Sequence, residues 1–274
     1  MNSFIKRSIS GTFYVLFIII FLFTGPLTYY ILFSGFLIIG LLELLKLLES
    51  DLKSIWKITN ILLPFILFTS SFFDASGIFK IPFFVILSAI VIIILLSKLF
   101  TINTNIIENS GKQFFIYLYL TLPISLSNYL VFYSGEVYKY NYHILLNIFI
   151  LLWCSDTGAY LAGSAFGKHS FFKSISPKKT WEGFIGGVLL TLIASYIISK
   201  LNEDLNLYNW LIIGALTAIF GTFGDLVESM LKRKADVKDS GNIFPGHGGL
   251  LDRIDSFLIA VLAVFVYIKL FEIF

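Results

Sequence analysis

Long apolar runs alternate along this chain with short polar interruptions. A helix of about 20 mostly apolar residues crosses a bilayer. Read on that basis, the sequence predicts about nine transmembrane helices, at 8–24, 26–48, 58–74, 79–100, 114–134, 141–165, 182–200, 206–231 and 253–273. Gly25 and Pro26 split the first long run into two helices. The predicted fold class is all-α, a polytopic integral membrane protein. An N-terminal helical region over 1–140 is expected to precede a C-terminal region over 141–274 that carries the chemistry.

Composition supports the membrane reading. Hydrophobic residues make up 57% of the 274 and charged residues 14%, against roughly a quarter charged in a soluble domain. Mean hydropathy is +0.88. A water-soluble protein of this make-up could not cover its own surface. The net charge of +3 gives no reason to expect a nucleic-acid partner. The distribution of charge says more than its sum. With nine crossings, Lys80, Lys139, Lys200 and Lys269 fall on one side, and all the others of the 20 lysines and arginines fall on the opposite side. The positive-inside rule then makes the N-terminus cytoplasmic and puts the C-terminus outside.

Two smaller readings concern the first helix and the single cysteine. Lys6 and Arg7 precede an apolar run, but "TGPLTYY" lacks the small-residue pattern of a cleavage site, so the first segment is expected to be a retained helix. One cysteine, Cys154, excludes an intrachain disulfide and a thiolate metal cluster, and is expected to be a small buried side chain.

The polar run "KRKADVKDSGNIFPGHGGLLDRID", Lys232 to Asp255, breaks the apolar pattern. A lipid-facing helix could not hold it, because each uncompensated charge at bilayer depth costs several kcal/mol. It falls in the last cytoplasmic loop of the predicted topology, and the preceding cytoplasmic loop carries "GKHSFFKSISPKKTWEGF". Carboxylates accompany both. Asp156 stands in "CSDTGAY", Asp225 and Glu228 in "FGDLVESMLKR", and Asp252 and Asp255 in "LLDRIDS". Asp225, Glu228, Ser229 and Lys232 share one helical face by their spacing, as do Asp252, Asp255 and Ser256. The bland reading of any one of these is a salt bridge between helices. Three groups on three spans, beside two basic loops, favour a functional site.

Oxygen ligands of this kind suit Mg²⁺, while the absence of a Cys/His grouping and of HExxH argues against zinc. His247, alone between glycines, reads as a hydrogen-bonding group. The glycines of "PGHGG" allow backbone N–H groups to approach an anion. Lys178, Lys179, Lys232, Arg233, Lys238 and Arg253 supply positive charge nearby in sequence. "GSAFGKHS" is no P-loop, since it has three residues before Gly-Lys where four are needed, and His169 follows the lysine. Together these parts point to phosphoryl or nucleotidyl transfer on a lipid phosphate, chemistry that consists mostly of positioning and charge neutralisation. The residue classes identify neither nucleotide nor lipid.

The stretch from Ser229 to Asp255 resembles the signature of bacterial phosphatidate cytidylyltransferases, the CDP-diacylglycerol synthases. It does so through Ser229, Lys232, Arg233, Lys238, Asp239, Pro245, His247, Gly248, Gly249, Asp252, Arg253 and Asp255. "SDTGAY" and "FGKHSFFKSISPKKTWEGFIGG" are similar to further segments of that family. The resemblance implies that CTP and phosphatidate give CDP-diacylglycerol and pyrophosphate at the cytoplasmic face of the plasma membrane, by a Mg²⁺-dependent step with K⁺ alongside, in a homodimer. It implies Asp225 and Asp252 as principal metal ligands with Asp156 and Asp255 near them. Lys232, Arg233, Lys238 and Arg253 would neutralise phosphates, and Asp239 and His247 would orient loop or substrate. Ser155, Lys178, Lys179, Ser229, Gly246, Gly248 and Gly249 would contact substrate. Three other readings compete: a CTP-dependent lipid kinase, which would release CDP; a transporter, which would need no nucleotide; and a purely structural membrane subunit.

Overall fold

The computed structural model describes residues 3–48, 54–79, 82–99, 106–132, 139–244 and 248–273. The chain forms α1 (Ser3–Thr24), α2 (Pro26–Leu47), α3 (Ser54–Ser76), α4 (Phe83–Leu99), α5 (Ile106–Ile116), α6 (Leu122–Leu126), α7 (Asn128–Val131), α8 (His143–Phe166), α9 (Trp181–Leu201), α10 (Leu207–Lys234) and α11 (Leu251–Leu270). Within the described residues, each predicted span overlaps a helix, without establishing nine crossings. Among the described residues, five stretches are long and apolar enough to cross a membrane: Pro26–Leu47, Glu108–Val131, His143–Phe166, Trp181–Leu201 and Leu207–Lys234. Shorter apolar helices cover Ser10–Thr24 and Val85–Ile94. The last helix, α11, is interrupted by Asp252, Arg253, Asp255 and Lys269. The protein is thus a helical membrane protein.

The structure is consistent with the all-α expectation, with one small addition among the described residues: a two-stranded antiparallel hairpin, β1 (Ser170–Phe172) and β2 (Ser176–Thr180), with Ser170 opposite Thr180 and Phe172 opposite Ser176. Pro177 concealed it, since proline argues against a strand except at a sheet edge, and both strands of a two-stranded sheet are edges.

Local chemistry explains several boundaries. The break between α1 and α2 falls at Gly25, whose φ of 145° suits glycine, and Pro26 opens α2 at the position where a missing N–H costs nothing. Before Pro123 the helix widens into a π turn over Tyr117–Thr121, and the Leu122 N–H reaches back to the Tyr117 carbonyl. Proline has no N–H for the ordinary ladder, and a π turn absorbs the slip.

The helices pack as two units, Met1–Asn141 with Ile243–Leu250, and Tyr142–Asn242 with Leu251–Phe274. The N-terminal unit is tied by neutral hydrogen bonds. Tyr29 Oη lies 2.9 Å from both Ser127 Oγ and Asn128 Oδ1, and Asn128 Nδ2 donates to Ser71 Oγ at 2.7 Å. Buried Tyr29, Phe33 and Phe72 pack around this network. Lipid tails are as apolar as leucine, so such bonds and close packing hold membrane helices together.

The C-terminal unit packs more closely through small residues. A Cβ on Gly158 of α8 would sit 2.6 Å from the Gly186 carbonyl and 2.8 Å from Leu190 Cβ on α9. A Cβ on Gly224 of α10 would strike the Asp255 carbonyl of α11. Phe149 and Phe257 stack at 4.6 Å. This closeness brings the polar residues of α8, α10 and α11 near one another. Cys154, expected to be buried, is half-buried on α8 beside half-buried Trp153.

Candidate active site

The spacing on α10 does what the pattern requires. Asp225, Glu228, Ser229 and Lys232 line one face, and Ser229 Oγ donates to Asp225 Oδ1 at 3.1 Å. Asp255 stands one turn into α11, and its Oδ1 accepts the Ser256 N–H at 2.6 Å. One oxygen from each of Asp225, Glu228 and Asp255 lies within 4.8 Å of the others. Glu228 is fully buried, and its Oε1 has no hydrogen-bond partner. Three carboxylates this close repel, and an unpaired buried carboxylate oxygen is costly. A hard cation with oxygen ligands relieves both problems. Asp225, Glu228 and Asp255 therefore fit a divalent metal that they could hold together.

Lysine faces this cluster from the hairpin. Lys179 Nζ lies 2.6 Å from Asp225 Oδ2. The hairpin is anchored at both ends. Glu182 accepts the Lys168 and His169 N–H groups at 3.1 and 3.2 Å and contacts His169 Nδ1 at 2.6 Å. Thr180 caps α9 by accepting the Gly183 N–H at 3.1 Å. Phe171 packs on Trp181 and Phe184 at 4.4 and 5.1 Å.

A cavity of about 400 Å³ opens beside these groups. Ser155 and Asp156 of α8, Lys178 and Lys179 of the hairpin, Thr222 and Asp225 of α10, and Ser256 of α11 line it. Tyr160, Phe171 and Phe184 give it an aromatic wall. Asp156 is exposed to this space and interacts electrostatically with Asp225, Lys179 and Arg253. The cavity has the mixed lining that a phosphate-bearing amphiphile needs: charge at one side, rings at another.

The remaining expected site residues fall elsewhere. Asp252 is outside the three-carboxylate cluster. Its Oδ1 lies 2.6 Å from Lys232 Nζ, and its Oδ2 accepts the Ser240 N–H and hydroxyl, each at 2.9 Å. Lys232 also pairs with Glu228. Asp252 and Lys232 thus bind each other and clasp the start of the following loop. Arg233 Nε reaches the Ile175 carbonyl in the hairpin turn at 3.5 Å. Lys238 and Asp239 are exposed, Gly248 is half-buried and Gly249 is buried. Gly246 and His247 lie outside the described residues.

Reasoning from sequence had Glu228 on the same face as Asp225 without naming it as a candidate ligand. The i, i+3 spacing from Asp225 was the signal. It also overlooked Phe171, Thr180 and Phe184; the repeated aromatics in "SFFKSISPKKTWEGF" were the only hint.

Comparison with known proteins identifies the family. The sequence model of the Cytidylyltransferase family matches residues 5–271. The chain therefore belongs to that family, a class of nucleotidyltransferases. Among individual proteins, the phosphatidate cytidylyltransferase of Bacillus subtilis (strain 168) is 35% identical over 279 residues, covering 97% of this chain and 98% of that protein. The proteins of the same name from Staphylococcus haemolyticus and Staphylococcus saprophyticus are 51% and 47% identical, over 42% and 46% of this chain and 45% and 49% of theirs.

Proposed function

We propose that this protein is a phosphatidate cytidylyltransferase. An oxygen of the phosphatidate phosphate attacks the α-phosphorus of CTP. The bond from that phosphorus to the oxygen bridging it to the β-phosphate breaks, and pyrophosphate leaves with the bonding electrons. CDP-diacylglycerol remains in the membrane. The observation that carries the reading is the meeting of Asp225, Glu228 and Asp255 beside Lys179, at a cavity with an aromatic wall.

Each group has a task in this scheme. Asp225, Glu228 and Asp255 would hold Mg²⁺, which supplies charge neutralisation for the triphosphate and the developing pyrophosphate. Lys179 and Lys178 pair with phosphate oxygens, and in the absence of substrate Lys179 rests on Asp225. Ser155 and Ser256 offer hydroxyls to the same space. Asp252 and Lys232 keep the loop between α10 and α11 in register, and the glycines of that loop admit a phosphate to backbone N–H groups. No protein nucleophile is needed. The same reading includes K⁺ alongside Mg²⁺, a homodimer, a catalytic region over 141–274, and a cytoplasmic N-terminus with the site facing the cytoplasm.

The test is a product analysis. Purified protein given CTP, phosphatidate and Mg²⁺ should form CDP-diacylglycerol and pyrophosphate in equal amounts, and chelation should stop the reaction. Release of CDP would assign the chain to lipid kinases, and flux into liposomes without nucleotide would assign it to transporters.

A further inference from the structure

A second cavity, of about 550 Å³, lies within the C-terminal unit. Its walls are the first turns of α8 and the last turns of α9, and the turn after α9 completes the lining. On α8, His143, Leu146, Asn147 and Ile150 share the face that meets it, by their spacing of three and four. Ala194, Ile197, Ile198 and Leu201 do the same on α9. This cavity shares no lining residue with the proposed active site. Asp156 stands about 20 Å further along α8 than His143, at about 1.5 Å per residue. The cytidylyl-transfer scheme gives this end of the helices no task.

Asn147 is the informative residue. It is 9% exposed, and no group among the described residues hydrogen-bonds its side-chain amide. Buried amides are nearly always bonded. This one calls for a donor to its oxygen and an acceptor for its nitrogen. Carboxylates stand beside it. Asp204 Oδ2 lies 2.7 Å from His143 Nδ1, and Asn202 Oδ1 accepts the Asp204 N–H at 2.8 Å. Glu203 has no ion-pair partner among the described residues. The lining holds no lysine or arginine, and Lys200 lies over the Tyr196 ring at 5.5 Å. Leu146, Ile150, Ile197 and Ile198 make the rest of the wall apolar. Both helices are long and apolar enough to cross a membrane, so their ends lie at the depth of lipid headgroups.

We propose that this cavity binds a phospholipid whose headgroup carries a primary ammonium. The ammonium meets the Glu203 carboxylate and donates to Asn147 Oδ1. A phosphate oxygen of the same headgroup accepts from Asn147 Nδ2, beside the first turn of α8, where the helix dipole favours an anion. The acyl chains lie along the apolar faces of α8 and α9. The volume falls in the usual range of ligand sites, about 300–1,000 Å³. A quaternary ammonium has no N–H to give the Asn147 oxygen. A headgroup with negative charge alone would face Glu203 and Asp204 without compensation. The inference does not depend on the cytidylyl-transfer reading.

Photolabelling tests this directly. The full-length protein is reconstituted in phosphatidylglycerol vesicles that contain a small amount of phosphatidylethanolamine with a photoreactive acyl chain. Illumination should attach the probe to peptides over 146–150 and 194–201. Unlabelled phosphatidylethanolamine should compete for those peptides about tenfold better than phosphatidylcholine. Asn147→Leu and Glu203→Gln should each weaken the labelling about tenfold, with turnover within about twofold of wild type. Asn147→Leu should keep or raise Tm, because it removes an unsatisfied buried amide. Glu203 is exposed, so Glu203→Gln decides the matter if Asn147→Leu does not fold. Three results would overturn the proposal. One is labelling no stronger than at the exposed Ile185 and Leu189 of α9, which would leave the cavity to water. Another is equal competition by phosphatidylcholine, or labelling unchanged in Glu203→Gln. The third is crosslinking of this face to a second copy of the chain in place of lipid.

Discussion

The two units of this protein bury polar groups in opposite ways. In the N-terminal unit the buried network of Tyr29, Ser71, Ser127 and Asn128 is neutral, and its members bond to one another. In the C-terminal unit the buried polar groups include Glu228 and Asp255, which carry like charge and stand within 4.8 Å of each other and of Asp225. A network whose members satisfy one another stabilises a fold. A like-charged cluster with an orphaned oxygen destabilises the fold unless a ligand completes it. The difference marks where the molecule gives up stability for chemistry.

The sharpest break of that contrast is to neutralise the cluster. Asp225→Asn, Asp255→Asn and Glu228→Gln should each lower turnover by more than about a hundredfold, since even outer groups at metal sites cost ten- to a hundredfold. Stability should move the other way. With a chelator present, Glu228→Gln should melt at or above the wild-type temperature, because one of three crowded carboxylates has gone while Lys232 keeps Asp252 as partner. Mg²⁺ should raise the wild-type Tm by mass action and raise that of Glu228→Gln less. Thermal scans with and without Mg²⁺ check this. A loss of Tm in the chelated variant would make Glu228 a structural group. Asp252→Asn should also lose turnover, but its Tm should fall, because the clasp to Lys232 and Ser240 weakens.

Much of this contrast could be read in the sequence, and the reasons are physical. Apolar length marks helices, so within the described residues every predicted stretch overlaps one, though five are long and apolar enough to cross a membrane, and Gly25–Pro26 marked its break. The shared face of Asp225, Glu228 and Lys232 follows from helical period alone. What could not be read is which oxygen each cation takes. Asp252 and Asp255 are three residues apart on α11, and the expectation made Asp252 a principal ligand with Asp255 near it. Asp252 turns to Lys232 and Ser240, while Asp255 joins the cluster. That choice depends on the close approach of α10 and α11 at Gly224, a tertiary fact. The hairpin escaped for a similar reason, since its stability comes from Glu182 and the Phe171 ring contacts more than from strand propensity.

A smaller effect should come from the packing that brings the carboxylates together. Gly158→Ala would push a methyl toward the Gly186 carbonyl and Leu190. Backbone cannot yield as a flexible side chain does, so the cost should be about 1–3 kcal/mol, with turnover falling as α8 moves Ser155 and Asp156. A variant with unchanged Tm and rate would mean that α8 and α9 are less tightly opposed than the geometry requires. Lys179→Ala sharpens the same point from the other side of the cavity. It should raise the KM for CTP about tenfold while leaving Tm nearly unchanged, since the pair with Asp225 is about one-third exposed and contributes about 1 kcal/mol or less to folding.

The smallest effect should come from the neutral network. Tyr29→Phe removes one hydroxyl that lies between Ser127 and Asn128. Measured bonds of this kind between membrane helices average about 0.6 kcal/mol and reach about 1.7. The two partners keep other bonds, Ser127 to the Ile124 carbonyl at 2.7 Å and Asn128 to Ser71, so the loss should stay near the lower figure. Turnover and both KM values should match wild type. Equal thermal losses in Tyr29→Phe and Glu228→Gln under chelation would erase the distinction between the units. A kinetic defect in Tyr29→Phe without a thermal one would overturn the reading of this network as purely structural.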